Sequence, residues 1–132
     1  MRWVLPAASA GCVAALAGGI FVWSAPREQV PVPGPDATPE QVVRAYIDAV
    51  NARDFDTANA IDARPGEYGR FSRPLGTHAL EVEKAVVHRS RAHVLFMADF
   101  DGGEPSMQDG WWGYYLVRGD DGLWHITGEG VA

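Results

Sequence analysis

Proton-transfer chemistry needs an acid and a base within hydrogen-bond reach of a substrate, and a metal site needs three or four clustered donors. The strand-like stretches of this chain contain such residues, but alternation keeps them apart. Leu80, Val82, Val86, Val94, Phe96, Phe100, Trp112, Tyr114, Leu116, Trp124 and Ile126 share one face. That face holds no acid and no histidine. Its hydroxyl is Tyr114, with Tyr46 facing it from an upstream helix, so Tyr46, Phe96, Phe100, Trp112, Tyr114 and Trp124 are the expected lining of an inward pocket. His93, Asp99, Asp101, His125 and Glu129 fall on the opposite face. His93, Asp99 and His125 could be grouped as metal ligands, but their spacing matches no ligand motif and alternating strands always collect polar residues on the solvent side. No metal and no cofactor is expected. Nor is there a Walker loop, a GxSxG elbow or a CxxC pair. Asp62 and Glu67 lie outside the strands, where alternation says nothing. Either could fold over the pocket mouth and supply a carboxylate.

The elements that must position these residues are legible from local signals. Thr38-Pro39-Glu40-Gln41 opens a helix: Thr38 caps, Pro39 suits the first turn, and Gln41 completes a capping box. The helix runs to about Ala52, with Val42, Val43, Tyr46, Ala49 and Val50 as its apolar face. Asp54 caps a second short helix through Ile61. Residues 62–77, with Pro65, Gly66, Gly69, Pro74 and Gly76, read as a loop. Period-two alternation then predicts at least four antiparallel strands, with turns at Arg89-Ser90-Arg91 and Asp120-Asp121-Gly122. The fold class is α+β: helices packed on a curved antiparallel sheet. Trp124 is expected in the core against the first helix, near Tyr46.

Two surface features follow from this reading. Leu95, Met97, Trp111 and Tyr115 form an apolar band on the outer sheet face, extended by Val117. Such a band marks either a homodimer or envelope-protein interface, or a surface covered by a loop. Arg64, Arg70, Arg73, Arg89 and Arg91 would form one basic edge if the 62–77 loop met the 89–91 turn. The net charge of −6 argues against nucleic acid as a partner.

Residues Trp3 to Ala25 form an apolar run without a charge. As a helix it would be roughly 34 Å long, enough to cross a bilayer core. A signal peptide would need small residues before the cut, but Trp23 stands at −3 to Ala25. A lipoprotein would need an aliphatic residue three before Cys12, where Ser9 stands. The reading is therefore an uncleaved single-pass anchor over 1–25, with Arg2 on the cytoplasmic side and Trp3 and Trp23 near the interfaces. Residues 26–36 then form a proline-rich linker, expected to be an extended spacer that lifts the 37–132 domain off the membrane. The domain lies outside the cytoplasm and, with Cys12 the chain's one cysteine, forms no disulfide. Lys84 is the single lysine among eleven cationic residues, a bias common in high-GC bacterial genomes.

The segment from Thr38 to Ala58 resembles the opening helix pair of the nuclear-transport-factor-2-like superfamily, and Gly122 to Gly130 resembles its closing strand, with Trp124 and Ile126 two apart. The resemblance implies a cone of curved sheet wrapped on helices over nearly all of 37–132. It says less about activity, because the superfamily includes steroid isomerases, SnoaL-type cyclases, hydrolases and non-catalytic domains. Its enzymes work inside the cone with a buried acid and a hydrogen-bond donor. With no acid on the inward face, the expected role is a membrane-anchored binding or interaction module without catalysis. The alternatives are a ketosteroid-isomerase or SnoaL-type enzyme acting on a small apolar substrate, and an accessory subunit of a cell-envelope assembly.

Overall fold

The computed structural model describes residues 28–102 and 110–130. The apolar run at 3–25 lies outside the described residues. Among the described residues, no helix is long and apolar enough to cross a membrane.

Helix α1 (Pro39–Asn51) starts as its sequence requires. Gln41 N–H donates to Thr38 Oγ1 (3.2 Å) and Thr38 N–H donates to Gln41 Oε1 (2.9 Å), satisfying two donors that a helix start leaves open. The face made of Val42, Val43, Tyr46, Ile47, Ala49 and Val50 is buried. Its C-terminus closes with Arg53 N–H on Val50 O (3.1 Å) and Asp54 N–H on Ala49 O (2.8 Å). That closure places Arg53 at φ 59°, a conformation usually left to glycine. Asp54 then caps helix α2 (Phe55–Ile61) through Thr57 N–H.

Among the described residues the sheet has five strands: β1 (Thr77–Val82), β2 (Val86–His88), β3 (Arg91–Phe100), β4 (Gly110–Arg118) and β5 (Trp124–Gly130). All pairings are antiparallel in the order β1-β3-β4-β5, and β2 also pairs with β3. The sheet curls as a half-barrel around the two helices, so the α+β class is present. Val94, Phe96, Leu116 and Ile126 from the concave face meet Val42, Val43 and Ile61 in one core.

Three departures from simple alternation matter. First, β1 and β2 are one edge strand broken at 83–85. Ala85 turns inward, its N–H bonded to Glu40 Oε1 (2.6 Å), and Val86 pairs with His93 on the outer face. Val86 is thus 73% exposed, contrary to its expected inward place. Second, the β4–β5 register shifts between Tyr115 and Leu116, so that Leu116 opposes Ile126 while Tyr115 opposes Gly128. One extra residue in β5 reverses parity beyond it. Glu129 now opposes Tyr114 and lies on the concave side, contrary to the expectation that this side holds no acid.

Third, the proline-rich linker is extended but does not stand off as a free spacer. Val30 N–H donates to Asp54 Oδ2 (2.8 Å) and Thr57 Oγ1 donates to Val30 O (2.6 Å). Farther along, Arg118 Nη2 donates to Pro35 O (2.6 Å). The Asp54 cap has a second oxygen to spare, and the linker uses it. Residues 28–35 are therefore a strap along the domain.

Candidate functional site

The concave side of the half-barrel encloses a cavity of about 270 Å³. Its walls are Tyr46, Ile47 and Val50 from α1, Tyr68, Pro74, Leu75 and Thr77 from the loop and the start of β1, and Phe96, Phe100, Trp112, Gly113, Tyr114 and Glu129 from the sheet. Tyr46, Phe96, Phe100, Trp112 and Tyr114 line this cavity. Trp124 does not reach the wall. It is buried at the start of β5, 7% exposed, with the Arg118 guanidinium 5.5 Å from its ring centre. Tyr46 meets Tyr114 instead, edge to face at 5.6 Å.

A polar cluster stands beside the Tyr46 hydroxyl. Asp62 Oδ2 accepts from Tyr46 Oη (2.9 Å) and from Arg64 Nη2 (2.8 Å). Asp62 Oδ1 accepts from the backbone N–H of Arg64 (3.0 Å) and from its Nε (2.9 Å). Four donors thus meet the roughly four lone-pair sites of a carboxylate. Burial alone would raise the Asp62 carboxyl, but the Arg64 hydrogen bonds and charge, with the Tyr46 hydroxyl, hold it below the ordinary aspartate range. Arg64 also donates Nη1 to Glu129 Oε2 (3.0 Å), a pair with Glu129 66% exposed.

The protons of the tyrosines can be placed by elimination. Tyr46 has one, and it goes to Asp62. Its oxygen accepts from Arg64 Nη2 at 3.1 Å. The 3.2 Å contact between the Tyr46 and Tyr68 hydroxyls therefore has Tyr68 as donor. Both protons are committed away from the cavity. Burial pushes Tyr46 well above the usual phenol range, reinforced by the Tyr68 hydrogen bond, and pushes Tyr114 up to about 12 even against the nearby Arg64 charge. Tyr46 and Tyr114 are therefore neutral phenols at physiological pH. Trp112 contributes the remaining polar atom of interest: its Nε1 is buried without a hydrogen-bond partner.

Asp62 and Tyr46 are engaged with each other and with Arg64, and the wall acid Glu129 accepts from Arg64 through Oε2. A general base needs a lone pair free for the substrate, and an oxyanion site needs donors aimed into the cavity. Asp62 has spent its lone pairs and Tyr46 its proton. Asp62 and Glu67 are the loop carboxylates that alternation leaves unplaced, and of the two Asp62 stands beside the cavity; Arg64, expected in a basic edge, neutralises it. That edge does not form. Arg64 is drawn to Asp62, and Arg91 begins β3 while Thr77, where the 62–77 loop ends, pairs with Phe100 at the other end of it, about 30 Å away. Glu67 is exposed in the loop and not in the wall.

The other sequence-derived sites are dispersed. Among the described residues no group of three or more His, Cys, Asp or Glu could hold a metal ion. His93 stacks on Tyr115 at 4.3 Å on the outer face, and His125 bonds to Asp121 Oδ2 (2.7 Å). Of the outer band, Tyr115 is 47% exposed, while Leu95, Met97 and Trp111 are half-buried. No family model, no curated protein and no solved structure matches this chain.

Proposed function

We propose that this chain is a membrane-anchored, extracytoplasmic binding module of the nuclear-transport-factor-2-like type, which holds a small, largely apolar molecule in its half-barrel and does no chemistry on it. The observation that carries the reading is the saturation of Asp62 beside a cavity walled mainly by apolar and aromatic side chains, whose one acid, Glu129, is paired with Arg64. The cavity offers shape and apolar contact, and Trp112, one of its wall residues, has an indole Nε1 buried without a hydrogen-bond partner. A dry apolar cavity of about 150 Å³ accepts benzene, and drug-sized ligands fill about 300–1,000 Å³. A volume of about 270 Å³ suits a molecule of one or two rings. A buried N–H without an acceptor is costly, so a ligand carrying a carbonyl or ether oxygen is favoured.

The test uses full-length protein in lipid nanodiscs with ¹⁵N-labelled tryptophan. Titration with a two-ring aromatic ketone should shift the Trp112 indole resonance saturably, and the parent hydrocarbon should bind more weakly. No shift up to the ketone's solubility limit contradicts the reading. The anchor is tested separately: full-length protein should stay in the membrane pellet through an alkaline wash. A soluble form beginning near Pro26 would reject it.

The enzyme reading survives as a rival on one observation: Asp62 lies beside a wall hydroxyl, where a base would stand. The outer sheet face, with Val86 and Tyr115 exposed, is the surface on which a second copy or an envelope partner would pack.

A further inference from the structure

Among the described residues the cavity wall carries one charged side chain, and it is an acid. Glu129 lines the cavity, and no lysine, arginine or histidine does. Arg64 does not offset this charge. Its Nε and Nη2 are engaged with Asp62, Nη2 also with Tyr46 Oη, and Nη1 with Glu129 Oε2. One guanidinium thus meets two carboxylates, which leaves the three groups with a net negative charge. The excess falls on Glu129, because Asp62 already accepts four hydrogen bonds.

The position of this charge makes it usable. Past the register shift Glu129 opposes Tyr114 on the concave side, and its side chain is 66% exposed. A wall residue so exposed stands at the mouth of the cavity. Behind it the wall is mainly aromatic: Tyr46, Tyr68, Phe96, Phe100, Trp112 and Tyr114. The faces of such rings carry partial negative charge and attract cations. Two of the rings already hold one, since the Arg64 guanidinium lies 5.1 Å from the Tyr114 ring centre and 5.9 Å from that of Tyr46. Burial raises the Tyr114 hydroxyl, Arg64 opposes the rise and the Glu129 charge adds to it, so Glu129 acts on this wall as a negative centre.

We infer that the ligand is an organic cation: an arylalkylammonium whose ring occupies the aromatic interior and whose charged nitrogen stays at the mouth with Glu129. The inference rests on the binding-module reading above and adds a charge to it. A cation buried whole would lose its hydration at large cost. At the mouth the ammonium keeps water on one side while its carbons enter the cavity. An ether or carbonyl oxygen along the arm is still the natural partner for Trp112 Nε1. An anionic ligand is disfavoured. It would have to displace Glu129 from Arg64 Nη1, and three carboxylates would then share one guanidinium.

The experiment uses full-length protein with ¹⁵N-labelled tryptophan in nanodiscs of phosphatidylcholine, a lipid without net charge. The probes are 2-phenoxyethylammonium, 2-phenoxyethanol and phenoxyacetate, which share a ring, an ether oxygen and a two-carbon arm and differ in charge. Each is titrated while the Trp112 indole resonance is followed. The ammonium should bind about tenfold more tightly than the alcohol, within the range that aromatic faces give a cation, and phenoxyacetate should be weakest. Glu129→Gln keeps the size of the side chain and leaves the Asp62–Arg64 pair in place; with its fold checked by circular dichroism, it should remove most of the preference for the ammonium. An alcohol or a carboxylate that binds as tightly as the ammonium overturns the inference and leaves the binding reading intact. So does a preference that survives Glu129→Gln unchanged, or silence from all three probes while the two-ring ketone still binds. If the ketone and all three probes leave the resonance unmoved, the binding reading and the inference fall together.

Discussion

Trp124→Ala should destabilise the domain by about 3–5 kcal/mol, the range for truncating a buried tryptophan. The side chain is 7% exposed and lies in the core cluster with Ile126 and Leu116. Its ring is also the platform for Arg118, whose Nη2 and Nε hold Pro35 O and Gly122 O. Truncation would leave a cavity and release the far end of the strap. A domain of this size has a total stability of about 5–10 kcal/mol, so the variant should be close to unfolding at room temperature. Chemical denaturation of the full-length protein in micelles, followed by circular dichroism, reads the effect. A midpoint within experimental scatter of the parent would contradict the burial described here. The cavity itself should be unaffected by conservative changes at this position, because Trp124 does not line it.

Arg64→Ala should cost about 2–3 kcal/mol at neutral pH. Removing one partner of a buried pair costs about 3–5 kcal/mol, and partial exposure of both side chains, 20% for Arg64 and 13% for Asp62, reduces that. The loss should depend on pH in a defined direction. In the parent, the folded Asp62 carboxyl lies below its unfolded value. Its contribution is present above the unfolded value of about 3.9 and disappears as pH falls through the lower folded one. In the variant, burial acts without the guanidinium and drives the carboxyl upward, so raising pH charges an uncompensated group. The stability gap between parent and variant should therefore be widest near pH 7 and narrow below about pH 4. Arg64→Lys should recover only part of it, since an ammonium cannot reproduce the fork that grips both carboxylate oxygens. A pH-independent gap would show that Arg64 acts by packing over Tyr46 and Tyr114 alone.

What could be read in advance was whatever is encoded locally. The Thr38–Gln41 capping box, the Asp54 cap and the alternation across Val94, Phe96 and Ala98 each act within a few residues, and each element forms where those signals lie. Tertiary features were not legible. A single extra residue in β5 carries no signal of its own, yet it turns Glu129 from the convex to the concave side. The inward turn of Ala85 depends on Glu40 waiting in α1, distant in sequence, and it reverses Val86. The alternating prolines of 31–35 predict an extended chain and say nothing about what that chain lies on. Asp62 and Arg64 stand two apart in a loop, where no periodicity links them; their pairing is set by the bridge of Asp62 to Ile126. The site residues found by alternation were thus the apolar ones. The charged ones were placed by bulges and loops.

On the geometry around Arg64, the carboxylate beside the cavity is structural. A ¹³C NMR titration of the Asp62 carboxyl in the full-length protein, assigned by loss of the resonance in Asp62→Asn, tests it directly. The expected midpoint is below the ordinary aspartate value of 3.8, with the group ionised throughout the physiological range. A midpoint near neutrality would mean that Arg64 does not hold it, that its proton is available for transfer, and that the half-barrel is an active site.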